Sequence, residues 1–213
     1  MTAAFNLAQL ANNLNTSGQL DATDGLVGLV TNANLASSGT ASSSTYLRGD
    51  RTWSALPALG KILQVVTTNK LDTFSTTSQT FTDITGLSAS ITPSSTSSRI
   101  LVLASIAIGA SNDFAYIRLL RGSTVIDVGD PASTRVQVTG ASIYPNSAPI
   151  YILTQVPVMF VDSPATTSAT TYKFQLRYGS AGTAYINRTA SDRDETNYEW
   201  RTPSNIILAE IGP

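Results

Sequence analysis

The sequence contains no cysteine and no histidine. Without cysteine there are no disulfide bonds, no thiolate nucleophiles and no cysteine-ligated zinc sites. Without histidine there are no catalytic triads or general bases built on imidazole. We therefore expect no metal site, no cofactor and no enzymatic activity.

Charged residues are also scarce, at 13% of 213 residues with a net charge of −1. Nucleic-acid binding normally requires clustered Lys and Arg, so the composition predicts no nucleic-acid partner. The first twenty residues contain no basic residue, which argues against a signal peptide. The longest apolar run, residues 100–109, is too short to cross a bilayer as a helix, and we expect no membrane insertion.

The first unit, residues 1–35, carries only two charged side chains, Asp21 and Asp24. Four apolar residues recur there at helical spacing: Leu7, Leu10, Ala11 and Leu14. An isolated helix of this length is marginal in water, so its leucine face requires another copy of the chain or a docking protein. We expect an extended or partly helical segment that attaches the chain to an assembly. A frayed terminus is the alternative.

Residues 36–59 combine a spacer with an abrupt change of composition. The ten residues at 36–45 are small or hydroxylated and bury too little surface to offset their ordering entropy, which predicts an extended linker. Large apolar side chains follow at Tyr46, Leu47 and Trp53, around the tripeptide Arg48-Gly49-Asp50. This tripeptide contacts integrins in some proteins. Here we interpret it as a tight glycine turn that joins the linker to a folded domain.

From residue 60 to the end, the apolar pattern has a period of two, which is typical of β-strands. It is cleanest at residues 171–179, where Tyr172, Phe174, Leu176 and Tyr178 are predicted to face the core. About ten such segments are separated by turn residues, and no helical segment intervenes. Residues 60–213 are therefore predicted to form an all-β domain, a jelly-roll-like antiparallel β-sandwich.

Two segments, residues 100–108 and 150–161, are more uniformly apolar than the rest. Such runs are typical of central strands that are buried on both faces or packed against another subunit. Pro157 interrupts the second run, and because proline cannot donate to a ladder it predicts a bulge or an edge position. Strands are also predicted at residues 134–140 and 183–189.

Charge is concentrated in one loop. Residues 60–213 contain eleven basic and eleven acidic side chains, and seven of these twenty-two lie at positions 187–201. Aromatic side chains beside carboxylates and guanidinium groups are suited to binding sugars or protein epitopes. We predict a receptor-binding site from six residues of this loop: Asp192, Arg193, Asp194, Asn197, Tyr198 and Trp200. The alternative is a solvated loop that keeps a neutral domain soluble.

Three acids of this loop, Asp192, Asp194 and Glu195, admit two less favoured interpretations. Paired carboxylates cleave glycosides, but they are normally held at a fixed separation on rigid elements across a cleft. Oxygen ligands also bind Ca²⁺, but the EF-hand spacing and its glycine are absent. A second exposed candidate is the turn at residues 143–149, for which a plain connecting loop is the favoured interpretation.

Three parts of the sequence resemble bacteriophage tail fibre proteins. FNLAQLANNLNTSGQLDATDGLVG resembles their N-terminal head, the segment ending in LRGDRTW resembles the spacer before their C-terminal domain, and TYKFQLRYGSAGTAYINRT with the closing SNIILAEIGP resembles the end of that domain. Residues 68–169 match by strand pattern only.

The resemblance implies a phage tail fibre protein that binds a host-surface glycan or protein as a homotrimer. It also implies attachment to other tail or virion proteins through residues 1–35, assembly in the bacterial host cytoplasm and a final location in the virion. The alternative is a structural virion component, such as a capsid fibre or a tail adaptor, that never contacts the host.

Overall fold

A computed structural model of the chain describes residues 38–55, 60–142 and 149–213. The helix predicted within residues 1–35 lies outside this part, as do residues 143–148 of the second candidate turn. The chain divides into two compact units, residues 1–57 and 58–213, and each is described by itself. In the described part, no helix combines the length and hydrophobicity needed to span a bilayer.

The first unit contains a short antiparallel hairpin of β1 (Thr45–Leu47) and β2 (Trp53–Ala55). Arg48-Gly49-Asp50 lies in its turn, where Oδ1 of Asp50 accepts hydrogen bonds from the backbone N of Thr52 at 3.0 Å and from its Oγ1 at 2.6 Å. The left-handed residue of this turn is Arg51, with φ 65°. The tripeptide therefore closes a hairpin, although its glycine is not the residue that adopts positive φ.

The spacer is more ordered than a linker without partners would be. Ser38 forms a β-bridge to Thr52, its backbone N donates to Arg51 O at 3.0 Å, and Trp53 N donates to Ser38 O at 2.9 Å. These bonds are available because the hairpin leaves one edge of β2 unpaired. The composition of residues 36–45 predicted that they bury little surface, but it did not predict this backbone pairing.

The described residues of the second unit form eleven strands: β3 (Ile62–Lys70), β4 (Phe74–Thr76), β5 (Thr82–Ile91), β6 (Arg99–Ala110), β7 (Ala115–Arg121), β8 (Thr124–Ile126), β9 (Gly140–Ala141), β10 (Leu153–Asp162), β11 (Thr170–Tyr178), β12 (Ala184–Ile186) and β13 (Ser204–Ile211). A 3₁₀ turn, Pro149–Tyr151, precedes β10.

The strands build two antiparallel sheets. The first has the order β3-β13-β6-β12-β4, with β10 on the other side of β6. The second has the order β5-β11-β7-β8, with β9 also against β7. The long strands β3, β5, β6, β7, β10, β11 and β13 alternate between the sheets along the chain. This connectivity confirms the predicted jelly-roll-like antiparallel sandwich.

The core lies between the sheets, and its largest side chains come from β11. Tyr172, Phe174, Leu176 and Tyr178 are all fully buried, as their alternation predicted. β6 faces them from the other sheet, and it is central because β13 and β12 pair with one of its edges and β10 with the other. The prediction of a central strand at residues 100–108 is thus confirmed.

Residues 150–161 do not form a central strand buried on both faces. Among the described strands β10 pairs only with β6, so it lies at the edge of the sheet, and Met159 on its outer face is 79% exposed. The edge position of Pro157 is confirmed, since it lies opposite Ser105 with no break in the register. An apolar run identifies a strand, but it decides neither whether both edges are paired nor whether another layer covers the second face.

Two other predicted strands are shorter than expected. Of residues 134–140 only Gly140 joins a sheet, as the first residue of β9, and Val136 is exposed. Residues 183–189 contribute only Ala184–Ile186, because Asn187 has φ 67° and turns the chain out of the extended conformation.

Candidate functional site

The charged loop, defined as residues 187–201, leaves β12 and returns to β13. Asn187 anchors its start and is only 1% exposed. The Nδ2 group of Asn187 donates to the carbonyl oxygens of Lys70 and Asp72 at 2.8 Å each, and Oδ1 accepts from the hydroxyl of Ser204 at 2.6 Å. Asparagine tolerates positive φ better than most residues, so one side chain provides both the turn and the anchor.

The carboxylate of Glu199 holds the middle of the charged loop through hydrogen bonds. Its two carboxylate oxygens accept hydrogen bonds from the hydroxyls of Thr189 and Ser191. Burial of the carboxyl raises its pKa, but these hydrogen bonds favour the ionised form and hold the pKa of Glu199 below its usual value. Nε of Arg193 lies 3.5 Å from Oε1 of Glu199 and supplies a counter-charge.

Asp192 pairs with two arginines. Arg201 donates to both of its oxygens, from Nε at 3.1 Å and from Nη2 at 2.8 Å, and Nη1 of Arg188 lies 3.2 Å from Oδ2. The fork of Arg201 fits the carboxylate in the bidentate geometry that gives strong, directional pairs. Asp192 also has positive φ, 45°, so it shapes the backbone of the loop as well.

Aromatic contacts join the loop to the turn before β10. The guanidinium carbon of Arg193 lies 4.8 Å from the ring centre of Tyr151, and the ring of Tyr198 is 6.1 Å from that ring. The backbone N of Ser191 donates to Ile150 O at 3.0 Å. Two residues were not predicted from the sequence: Tyr151, which lies in a different segment, and Glu199, which lies between Tyr198 and Trp200 but contacts its hydroxyl partners only in the folded loop.

The loop encloses a surface cleft of about 450 Å³, lined by Asp192, Arg193, Asp194, Glu195, Glu199, Trp200 and Arg201. Four of the six predicted residues line it: Asp192, Arg193, Asp194 and Trp200. Asn197 and Tyr198 are exposed but do not line the cleft. The cleft therefore combines an exposed ring, Trp200 at 48%, with carboxylates and guanidinium groups.

This geometry does not favour glycoside cleavage or Ca²⁺ binding by Asp192, Asp194 and Glu195. Both oxygens of Asp192 are bound by guanidinium groups, which leaves Asp194 and Glu195. In residues 38–55, 60–142 and 149–213, no three acidic side chains are grouped to hold a metal ion. The prediction of no enzymatic activity remains a prediction.

A second surface that the sequence analysis did not locate is the outer side of the sheet β3-β13-β6-β10. Strand register places its residues in three rows across the four strands: Val65, Ala209, Leu101 and Val161; Thr67, Ile207, Leu103 and Met159; Asn69, Asn205, Ser105 and Pro157. We name these twelve positions the apolar sheet face. None is charged, and Val65, Met159 and Val161 are exposed apolar side chains.

No protein-family model matches this chain, and no curated protein is similar to it in sequence. Weak structural similarity is found to a chain in the structure of infectious bursal disease virus, Gx strain, with 14% identity and a TM-score of 0.35 over 75% of this chain and 42% of that one. A chain of T=1 particles derived from infectious bursal disease virus gives 14% identity and a TM-score of 0.32 over 75% of this chain and 40% of that one. This chain thus spans about two fifths of the chains it matches, and similarity at this level assigns no function.

Proposed function

We propose that this protein is a structural component of a virion and that its β-sandwich associates with copies of itself through the apolar sheet face. The observation that supports this most directly is the set of three uncharged rows across four strands. Exposed apolar side chains such as Val65, Met159 and Val161 contribute to stability only when another surface covers them, at roughly 25 cal/mol per Å² of apolar area buried.

A second copy of this chain is the occupant that fits this surface best. Identical surfaces that meet near a symmetry axis bring identical charges together, and the apolar sheet face contains no charge to repel. Pro157 on the outer strand has no N–H to donate, which disfavours addition of a strand at that edge. Packing of faces, rather than pairing of edges, is therefore the expected mode.

Placement in a virion is supported by the sequence resemblance. The head, spacer and C-terminal segments resemble parts of tail fibre proteins, which are usually threefold, so the assembly we propose is a homotrimer. In this proposal residues 1–35 bind another tail or virion protein, and assembly takes place in the bacterial host cytoplasm. The proposed self-association is the same for a tail fibre, a capsid fibre or an adaptor.

The test is the molar mass of the full chain, measured by light scattering across micromolar concentrations. We expect a trimer, and we expect Met159→Asp to shift it to monomer. Leu71→Asp is the matched control, because Leu71 is 76% exposed but follows β3 outside the apolar sheet face. A monomeric wild-type chain contradicts the proposal, as does a Met159→Asp variant that remains trimeric.

Adhesion to the host is the second candidate function, favoured by the exposed Trp200 beside the cleft of the charged loop. A ring at 48% exposure next to the exposed carboxylate of Asp194 offers both stacking and hydrogen bonding to a surface glycan or protein. Adsorption of the full chain to host cells should fall with Trp200→Ala and not with Leu71→Asp. Unchanged adsorption by a folded Trp200→Ala variant would contradict a role of the charged loop in adhesion.

A further inference from the structure

The outer side of the second sheet differs in character from the apolar sheet face. Tyr116 and Arg118 of β7, together with Phe114 just before it, occupy alternate positions and lie on one side of the sheet. Arg177 on β11 is paired in register with Tyr116, and the side chains of Arg118 and Arg177 both approach the ring of Phe81 just before β5. We name these five residues the arginine–aromatic patch.

The rings hold the two arginines in place. The guanidinium carbon of Arg118 lies 4.2 Å from the ring centre of Phe81, and that of Arg177 lies 5.8 Å from the same ring and 5.5 Å from the ring of Tyr116. Cation–π contacts orient guanidinium groups without neutralising them. Two positive groups therefore share one ring and repel each other, a cost that a bound anion would relieve.

Among residues 38–55, 60–142 and 149–213, no carboxylate forms a salt bridge with this pair of arginines. Nε of Arg118 donates to Oε1 of Gln175 at 2.7 Å, and within the described residues neither Arg118 nor Arg177 forms a salt bridge. The nearby Asp83 is already bound at both oxygens, by Lys173 and by Gln175, each at 2.6 Å.

Burial lowers the pKa of Arg118, and the charge of Asp83 opposes this only in part. The guanidinium is therefore partly desolvated without a paired carboxylate. Lys173 and Asp83 form an ion pair and offset each other, so the charge of the two arginines is not cancelled by this neighbouring pair.

We propose that the arginine–aromatic patch binds a carboxylated saccharide. The free N–H groups of the guanidiniums match a carboxylate in charge and in planar geometry. The exposed ring of Phe114, stacked on Tyr116 at 6.3 Å, lies beside them and can pack against the apolar face of a sugar ring. A neutral sugar would pack against the rings but leave the guanidinium charges unpaired, so we expect the acidic sugar to bind more tightly.

This site is separate from the proposed self-association. The patch lies on the sheet β5-β11-β7, whereas the apolar sheet face belongs to the other sheet of the sandwich. A trimer built through the apolar sheet face would leave the patch outside that contact. Each proposal can therefore fail without the other.

The test is calorimetric titration of the full chain with oligogalacturonate, in parallel with the same oligomer as its methyl ester. We expect binding of the acid and at least tenfold weaker binding of the ester. Arg177→Gln and Arg118→Gln should each weaken binding of the acid about tenfold, because each removes a charge-assisted contact. Arg135→Gln is the matched control, since Arg135 is exposed in the segment between β8 and β9.

Three results would overturn the proposal: equal affinity for acid and ester, unchanged affinity in both patch variants, or no binding at millimolar oligomer. Polyphosphate is a further control. If it binds as tightly as oligogalacturonate and the Arg135→Gln variant loses this binding as well, the attraction is a non-specific one for polyanions, which would also overturn the proposal. Thermal unfolding of each variant establishes that the fold is intact.

Discussion

The hydroxyl of Tyr172 on β11 donates a 2.6 Å hydrogen bond to Oδ2 of Asp162 at the end of β10, so the two sheets are joined by a polar contact inside the sandwich. Arg121 of β7 donates from Nη1 to both oxygens of the same carboxylate, at 2.8 and 2.9 Å. Burial of the Tyr172 hydroxyl and its bond to Asp162 both raise the pKa of this phenol, which therefore remains a donor.

Removal of the shared carboxylate should destabilise the domain strongly. Asp162→Ala leaves Arg121 without its counter-charge and the buried Tyr172 hydroxyl without an acceptor, and we expect a loss of roughly 3 kcal/mol in the free energy of unfolding. Tyr172→Phe leaves the ion pair intact and should cost about 1–2 kcal/mol. Urea denaturation measures both variants.

Lys173→Gln provides the comparison, since it breaks the exposed pair with Asp83 and should cost no more than about 1 kcal/mol. If Asp162→Ala is as mild as Lys173→Gln, the polar contact between the sheets does not stabilise the sandwich.

Glu210 should make the protein lose stability in acid. Burial raises the pKa of this carboxyl, but hydrogen bonds from Gln64 at 2.6 Å and from the backbone N and hydroxyl of Ser94 at 2.7 and 2.6 Å outweigh burial and lower the pKa to about 2. Between its ordinary pKa of 4.5 and about 2, the unfolded chain binds a proton that the folded chain does not. The contribution of Glu210 is therefore complete above pH 4.5 and disappears as the pH falls towards 2.

Denaturant titrations between pH 7 and pH 2 measure this dependence. Glu210→Gln should be less stable than wild type at pH 7 and should show a flatter decline below pH 4.5, because glutamine keeps the shape and does not titrate. Asp130→Asn, at an exposed position, should follow the wild-type curve. Parallel curves for wild type and Glu210→Gln would assign the acid sensitivity to other carboxylates.

The sequence predicted what depends on local periodicity and missed what depends on pairing over distance. Alternation identified the buried side of β11 because successive side chains of a strand point to opposite faces. The apolar run at residues 150–161 predicted a central strand, and only Pro157 indicated a bulge or an edge, because the place of β10 depends on β6 having β10 on one side and β13 on the other.

The same distinction holds for the charged loop. Composition located the loop, and four of its six predicted residues line one cleft. However, Asp192 is bound by Arg188 and Arg201, and Glu199 by two hydroxyls. These contacts arise from the turns of the folded backbone, which residue types alone do not specify.

Two neighbouring aspartates of the charged loop should respond differently to the same substitution. Asp192→Asn removes the charge that holds Arg201 and Arg188, so amide hydrogen exchange across residues 188–201 should accelerate several-fold. Asp194→Asn changes an exposed carboxylate that lines the cleft without pairing in the described residues, and exchange should be unchanged. Equal acceleration in both variants would show that total charge, rather than the pairing of Asp192, orders the loop.

Asn187 allows the cost of its backbone conformation to be separated from the value of its hydrogen bonds. Asn187→Gly keeps access to φ 67° but removes the side-chain bonds to Lys70, Asp72 and Ser204, and we expect a loss of about 2 kcal/mol in unfolding free energy. Asn187→Ala removes the same bonds but, unlike the glycine variant, keeps a Cβ in the left-handed region, which should cost about 1 kcal/mol more than Asn187→Gly. If the two variants are equally stable, the turn relaxes when the bonds are lost, and the hydrogen bonds, not the intrinsic preference of asparagine, hold the start of the charged loop.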